Sequence, residues 1–204
     1  MPDTAAPLLC LASASPRRTQ LLAQLGVAHR VAVADIDEAL LPGERAADYV
    51  LRMARAKALA VRARDASLPV LAADTTVVIE GQVCGKPRDA ADAVAMLGRL
   101  SGRTHQVLTA VALAGAAGLG LRLSASEVRF RTLTRAECQA YWDSGEPRDK
   151  AGGYAVQGRA AAFIEHLSGS YSGVMGLPLY ETAQLLAAAG IALWPAGAGG
   201  GSAA

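Results

Sequence analysis

Apolar residues recur along this chain with the spacing of amphipathic helices. Apolar positions three or four residues apart predict helices over residues 17–25 and 46–64. Residues that favour helix ends predict three more, over residues 90–100, 134–143 and 178–189. The end signals are Ser15 and Asp89 as N-caps, Pro16 and Pro178 at helix starts, Thr134 with Glu137 as a capping box, and Gly26, Gly102 and Gly190 as stops.

Other apolar segments are short or rich in β-branched residues and predict strands. They are residues 8–12, 31–36, 69–79, 106–114, 121–132, 154–157 and 161–167. Gly81 and Gln82 indicate a hairpin turn after the segment 69–79. A glycine-rich connection indicates a long hairpin between the segments 106–114 and 121–132. Strands and helices do not alternate regularly, so the sequence predicts an α/β (α+β) fold with a mixed sheet, not a doubly wound parallel one.

The composition is that of a folded protein. Of 204 residues, 52% are hydrophobic and 19% charged, which is enough apolar material for one core. We therefore expect a single domain over residues 1–194, which could fold as two lobes. Residues 195–204 are mostly glycine and alanine, and we expect a disordered tail there.

The charge and the cysteines exclude several classes of protein. A net charge of +2 is too small for broad attraction to nucleic acid or an anionic membrane, so any anion site must be local. No basic segment with an apolar run opens the chain, and no stretch approaches about 18 apolar residues, so we expect a cytoplasmic protein. The cysteines lack paired spacing and are expected to be ordinary thiols: Cys10, Cys84 and Cys138.

Asp74 lies inside the apolar segment 69–79. Burying a carboxylate is costly unless it is hydrogen-bonded, paired or bound to a metal. One interpretation is a structural aspartate bonded to nearby backbone. The other is a general base or metal ligand beside a cleft, preparing water for attack on phosphorus.

A serine-rich turn precedes the first predicted helix and places Arg17 and Arg18 in its first turn, after Ser13 and Ser15. Cations there oppose the helix dipole unless an anion lies between them, and phosphate is the obvious candidate. The alternative is that both arginines point to solvent and pair with carboxylates elsewhere.

Three further charged positions have two interpretations each. Lys57 lies in the apolar stripe of its helix, so it either extends to solvent or meets an anion. Glu38, in the acidic segment 35–38, could offer oxygens to Mg²⁺ or belong to a solvated turn. Lys86 could neutralise a phosphate, although the segment 85–87 does not match a P-loop.

Two glycine-dense segments, residues 152–158 and 169–178, could let backbone approach a ligand or simply form turns. Gln157 lies in the first, and its amide could recognise a base edge. The histidines are expected at the surface or in the core: His29, His105 and His166.

Together these motifs resemble the Maf family, in one order over nearly the whole chain. The motifs are residues 11–18, 36–38, 49–58, 73–77, 85–87 and 169–178. The segment 149–158 looks like the branch of the family that acts on dTTP and UTP. The resemblance implies a mixed twisted sheet with helices on both sides, related to the inosine triphosphate pyrophosphatases. It also implies a nucleotide in a central cleft between two lobes, and a homodimer.

The resemblance implies hydrolysis of dTTP and UTP to the monophosphate and pyrophosphate, with a divalent cation, Mg²⁺ or Mn²⁺. It places Asp74 at the catalytic position, and Glu38 with Asp74 as ligands of the metal. The residues implied to bind substrate are Ser13, Arg17, Arg18, Lys57, Thr75, Lys86 and Gln157, with Arg17, Thr75 and Gln157 at positions associated with base selection.

Two alternatives remain at this point. The family name comes from an association with septum formation, so the chain could be a nucleotide-binding regulator of cell division with little catalysis. It could also be a housecleaning enzyme for deaminated purines, which would share the reaction and differ in base selection.

Overall fold

The structure is a computed structural model that describes residues 6–194. The expectation of a disordered tail over residues 195–204 lies outside the described residues.

The described residues form seven strands, six α-helices and two short 3-10 helices. The strands are β1 (Leu9–Leu11), β2 (His29–Val31), β3 (Val70–Ile79), β4 (Gln82–Cys84), β5 (Thr104–Gly115), β6 (Gly118–Phe130) and β7 (Ile164–Ser168). The α-helices are α1 (Pro16–Gln24), α2 (Ala46–Arg64), α3 (Ala90–Leu100), α4 (Arg135–Asp143), α5 (Tyr171–Met175) and α6 (Leu179–Ala188). The 3-10 helices, Ala151–Gly153 and Arg159–Phe163, lie between α4 and β7.

All strands belong to one mixed sheet, in the order β2-β1-β3-β5-β6-β7, with β4 also paired to β3. β1 runs parallel to β2 and β3, and the other pairs are antiparallel. The predicted mixed sheet is confirmed, and so are both hairpins, β3–β4 and β5–β6. Glu80 and Gly81 form the first turn with φ of 53° and 75°, as a tight two-residue hairpin requires.

Helices cover both faces of the sheet, as predicted. α1 and α6 pack on one face in a core that includes Leu9, Leu11, Leu22, Leu71, Leu177 and Leu186. α2 packs on the other face in a core that includes Cys10, Val50, Ala54, Ala58, Val70 and Ala72. At the far end of β3, α3 and α4 enclose a third core that includes Val77, Leu97, Phe130, Tyr141, Tyr154 and Phe163. The two ends of the sheet are therefore packed as two lobes.

A gap in the sheet separates these lobes. β5 occupies one edge of β3 from Val70 to Val78. On the other edge β1 pairs only at Val70 and Leu71, and β4 pairs only from Val77 onward. Among the described residues, the edge of β3 between Leu71 and Val77 has no strand partner, and Asp74 lies at its centre.

Helix ends follow the predicted signals closely. The Asp89 side chain accepts from the Asp92 N–H, and Thr134 and Glu137 form the predicted capping box. Gly26 ends the first helix with φ of 68°. Ser15 occupies the N-cap position of α1, but its side chain makes no cap hydrogen bond.

Three predicted strands were wrong in extent or in kind. Only Val31 of the strand predicted over 31–36 belongs to a strand, since β2 spans residues 29–31 and ends where its partner β1 ends at Leu11 beside the gap. Residues 154–157 form a turn in place of a strand, since Gly152 and Gly153 have φ of 70° and 67° and redirect the chain. The strand predicted over 161–167 begins only at Ile164, after a 3-10 helix. The sequence prediction also missed α5.

Candidate active site

The gap in the sheet opens into a cleft of about 680 Å³. Because the cleft passes the edge of β3, side chains from both faces of that strand reach it. All of the residues predicted to act on substrate or metal line it: Ser13, Arg17, Arg18, Glu38, Lys57, Asp74, Thr75, Lys86 and Gln157. The structure therefore brings together every site residue that the sequence predicted.

Asp74 and Glu38 share one lysine. Asp74 is 7% exposed and points from β3 toward α2, where Lys57 Nζ lies 2.7 Å from its Oδ1. The same Nζ lies 2.7 Å from Oε1 of Glu38, which belongs to the segment before α2. The lysine in the apolar stripe of its helix thus meets anions, and the buried aspartate is paired with a side chain.

Burial and charge act in opposite directions on the two carboxylates. Burial raises the pKa of Asp74 above its ordinary value, although Lys57 and Arg18 oppose the rise. Burial also raises the pKa of Glu38, but the hydrogen bond and charge of Lys57, together with the charges of Lys86 and Arg18, outweigh it and the net pKa is lowered. Burial therefore makes Asp74 a better proton acceptor than an ordinary aspartate.

Arg18 joins three elements at the floor of the cleft. Its Nε donates to the Gly176 carbonyl at 2.7 Å, Nη1 donates to Ser13 Oγ at 3.2 Å and Nη2 donates to Thr75 Oγ1 at 3.4 Å. Thr109 donates to the Gly173 carbonyl at 2.7 Å, so the Thr75 hydroxyl is the donor in the 3.0 Å contact with Thr109. These bonds fix the turn before α1 against β3 and against the end of α5.

Arg17 lies with a second cation that the sequence prediction did not single out. Lys150 lines the same cleft, and burial and the Arg17 charge lower its pKa. Burial also lowers the pKa of Arg17, partly offset by Asp149. Two like charges at one wall of a cleft favour an anion between them. The available sequence signal for Lys150 was its place in the motif 149–158, directly before the glycine-dense segment 152–158.

Tyr49 also lines the cleft and was not predicted. Its hydroxyl donates to the Glu38 carbonyl at 3.0 Å, which ties the acidic segment to α2. Burial and the charges of Asp74 and Glu38 raise the pKa of Tyr49 to about 12, so the hydroxyl keeps its proton. Its place in the helical motif 49–58 was the only sequence signal.

The carboxylates suit a divalent cation that shares its coordination with substrate. Within residues 6–194, no three side chains of His, Cys, Asp or Glu converge as a metal cage. Glu38 and Asp74 nevertheless converge on one ammonium group, so oxygen donors already surround a position for positive charge. Mg²⁺ commonly binds one or two carboxylates and completes its shell with water and phosphate. The residues present fit such an ion.

The described cysteines are free and buried, as expected. No helix in the described part of the chain is long and apolar enough to span a membrane.

Comparison with known proteins gives a consistent result. The family model described as "Maf-like protein" matches residues 8–189. A protein of Bordetella avium named dTTP/UTP pyrophosphatase is 56% identical, with 92% of this chain and 98% of the relative covered. One of Hahella chejuensis with the same name is 54% identical, covering 91% and 94%.

A solved structure described as "The structure of the Staphylococcus aureus Ham1 protein" has a TM-score of 0.46 at 13% identity, over 60% of this chain and 71% of that one. That likeness is too low to establish a relationship. The family match, by contrast, spans nearly all of the described residues, and the relatives are aligned over nearly their whole length. This chain therefore belongs to the Maf family.

Proposed function

We propose that this protein hydrolyses dTTP and UTP to the nucleoside monophosphate and pyrophosphate, with a divalent cation. The observation that carries the proposal is the buried Asp74 carboxylate, held by Lys57 in a cleft that is also lined by Arg17, Arg18 and Lys86. The relatives named dTTP/UTP pyrophosphatase support the choice of substrate.

In the proposed reaction Asp74 accepts the proton of the attacking water. Because Lys57 occupies Oδ1, the second carboxylate oxygen is the one available to the water. Lys57 also keeps the carboxylate in one orientation. General base help of this kind is worth roughly 10²–10⁴ in rate.

The cations hold the triphosphate and stabilise the charge that develops on it. Arg17 and Lys86 face the cleft, and Arg18 also holds Thr75 in place. We propose that Glu38 and Asp74 hold Mg²⁺ or Mn²⁺ together with substrate phosphates. When bound, such an ion neutralises phosphate charge and makes water a better nucleophile.

We also propose that residues 1–194 act as a single domain, that the protein is a homodimer, and that it acts in the cytoplasm. The Maf resemblance supports the dimer. Size-exclusion chromatography with light scattering measures its mass in solution.

The test is pyrophosphate release from dTTP, UTP, CTP, 7-methyl-GTP and ITP with Mg²⁺ or Mn²⁺. We expect turnover of dTTP and UTP, and a loss of about 10²–10⁴ in kcat in Asp74→Asn with nucleotide binding retained. Asp65→Asn is the matched control, because this carboxylate is exposed at the end of α2 and paired with Arg30.

Each other outcome has a definite meaning. Asp74→Asn turning over like the wild type would remove the proposed role of Asp74. Activity centred on another base would change only the substrate. A wild-type protein that binds these nucleotides and hydrolyses none of them would favour the regulatory binder.

A further inference from the structure

The turn that carries Gln157 is held from the protein interior by three separate elements. We call residues 154–159 the Gln157 loop. From β5, His105 Nε2 lies 2.8 Å from the Tyr154 hydroxyl. From α4, the Tyr141 hydroxyl accepts from the Ala155 N–H at 3.1 Å. The Glu146 carboxylate, just after α4, accepts from the Arg159 N–H at 3.0 Å.

Tyr141 and Glu146 act as one unit. An N–H can only donate, so the Tyr141 hydroxyl must accept from Ala155 and use its own proton elsewhere. That proton goes to Glu146 Oε1, at 2.7 Å. The other carboxylate oxygen, Oε2, receives the Arg159 N–H. One tyrosine and one glutamate thereby hold the loop at both of its ends.

Gly158 is what lets the carboxylate reach the loop. A Cβ at this position would lie 2.3 to 2.5 Å from the carboxylate atoms of Glu146. The flexible Glu146 side chain would have to move away, and the Arg159 N–H would lose its acceptor. The backbone at Gly158 has φ of −108°, so the obstacle to alanine is the Glu146 carboxylate and not backbone strain.

The loop determines where Gln157 lies. Within it the Gly158 N–H donates to the Ala155 carbonyl at 3.0 Å, which closes a turn around Val156 and Gln157. Gln157 is exposed and lines the cleft, whereas Tyr154, Ala155 and Val156 are buried. The side chain thus enters the cleft on a backbone whose position depends on the interior bonds.

We propose that Tyr141 and Glu146 are positioning residues for recognition of the nucleotide base. They do not line the cleft, and they act by holding the Gln157 loop at a fixed distance from the base. The inference rests on the proposed function and on the contact with the nucleotide base that the sequence predicts for Gln157. The triphosphate end of the cleft, built from Lys57, Lys86 and Arg18, does not depend on these bonds.

The test compares two probes in Tyr141→Phe, which keeps the ring packed on Phe163 and removes only the hydroxyl. Equilibrium binding is measured in EDTA, where dTTP is not hydrolysed, for dTTP and for inorganic tripolyphosphate, which has no base. We expect dTTP affinity to fall about tenfold, the value of one well-placed hydrogen bond, and tripolyphosphate affinity to stay unchanged. In turnover, KM for dTTP should rise with kcat largely retained, and the preference for dTTP over CTP should narrow.

Two further variants keep the test decisive. Gly158→Ala displaces the Glu146 side chain without substituting Tyr141 or Glu146, and it should reproduce the selective loss of dTTP affinity. Tyr180→Phe removes a hydroxyl from an exposed tyrosine of α6 and should change neither affinity.

The proposed role of Tyr141 and Glu146 is overturned if the affinities for dTTP and tripolyphosphate fall together in Tyr141→Phe and Gly158→Ala, since that is a general structural effect. It is also overturned if neither affinity falls. Failure of the proposed function looks different. A wild-type protein that hydrolyses no nucleoside triphosphate overturns the proposed activity. The two binding affinities still decide whether Tyr141 and Glu146 position the Gln157 loop for the base.

Discussion

Lys57 illustrates how a single side chain can organise this site at the residue scale. Its side chain is 12% exposed and that of Asp74 is 10% exposed, so the pair lies largely outside solvent. Coulomb attraction at such a site is screened much less than at a surface, but both groups lose hydration. Removing one partner leaves the other as an uncompensated buried charge.

We therefore predict that Lys57→Met lowers the free energy of unfolding by about 3 kcal/mol. Adding Asp74→Asn to it should recover part of the lost stability, because the amide carries no charge, while kcat stays at least about 10²-fold below that of the wild type. Urea unfolding of the two variants and the wild type measures the difference. A single variant as stable as the wild type would show that solvent reaches the pair.

His105 provides a pH-dependent contribution at the same scale. It is 2% exposed, its ring contacts Phe130 and Tyr154 edge-on, and Nδ1 has no partner among the described residues. Burial lowers the pKa of His105 to about 4. The unfolded chain, with an ordinary pKa of about 6.5, therefore binds a proton that the folded protein excludes.

The resulting stability is complete above about pH 6.5 and is lost as the pH falls toward 4, by up to roughly 3 kcal/mol. We predict that His105→Phe, which lacks the titrating group, loses less stability over this interval. Urea unfolding at pH 7, 5.5 and 4.5 gives the slope of unfolding free energy against pH for the wild type and for His105→Phe. Equal slopes would mean that His105 takes up its proton in the folded state.

At the element scale, the end of one strand determines where the cleft lies. β1 has three residues and ends at Leu11, where the chain turns toward α1. β3 continues past it for eight residues, from Ala72 to Ile79, so its edge is open until β4 pairs with it. Backbone groups and side chains of the open stretch, including Asp74 and Thr75, become available to a ligand there.

The 3-10 helix Ala151–Gly153 closes the other side of the cleft and depends on a glycine. Gly152 has φ of 70°, and a Cβ there would lie 2.7 Å from Val77 Cγ2 and 2.9 Å from Val77 Cβ. We predict that Gly152→Ala costs at least about 2 kcal/mol, from the left-handed backbone and the collision with β3. It should also raise KM for dTTP, since the Gln157 loop follows directly.

The matched control is Gly98→Ala, in the interior of α3, where an added Cβ meets nothing within 4 Å. That variant should be neutral or more stable by about 0.5–1 kcal/mol. Thermal unfolding of both variants is the measurement. A Gly152→Ala protein as stable as Gly98→Ala would mean that Val77 moves aside without cost.

At the scale of the whole molecule, the fold and the proposed metal are separate. Three hydrophobic cores hold the two lobes together, and no cage of three or more metal ligands lies within residues 6–194. Glu38 and Asp74 are held by Lys57, which balances part of their charge. The ion is therefore expected to arrive with the nucleotide and to serve the reaction more than the folded state.

We predict that EDTA abolishes turnover and leaves the thermal midpoint of the nucleotide-free protein unchanged. In Asp74→Asn, which is expected to bind dTTP but to hydrolyse it slowly, Mg²⁺ with dTTP at about 100 times Kd should add about 2.7 kcal/mol of stability. Differential scanning calorimetry in EDTA, in Mg²⁺ and in Mg²⁺ with dTTP measures all three states. A large loss of stability in EDTA alone would indicate a structural metal.

The sequence by itself determined the features that depend on neighbouring residues. Helix ends at Asp89 and Thr134, the hairpin at Gly81 and the unusual position of Asp74 were predictable because caps, tight turns and a carboxylate in an apolar strand are local signals. The family motifs also contain all of the residues that were predicted to bind substrate or metal, and all of these residues line the cleft.

Only the tertiary structure decided which of these residues meet and which apolar segments become strands. Lys57, Glu38 and Asp74 come together because α2 packs on β3, which no spacing along the chain encodes. Residues 154–157 are apolar enough for a strand, but the edge of β6 is occupied by β7 and the turn is held by Tyr141. A strand forms only where a segment runs along an open edge of another strand, and which segments do so is decided by the path of the whole chain.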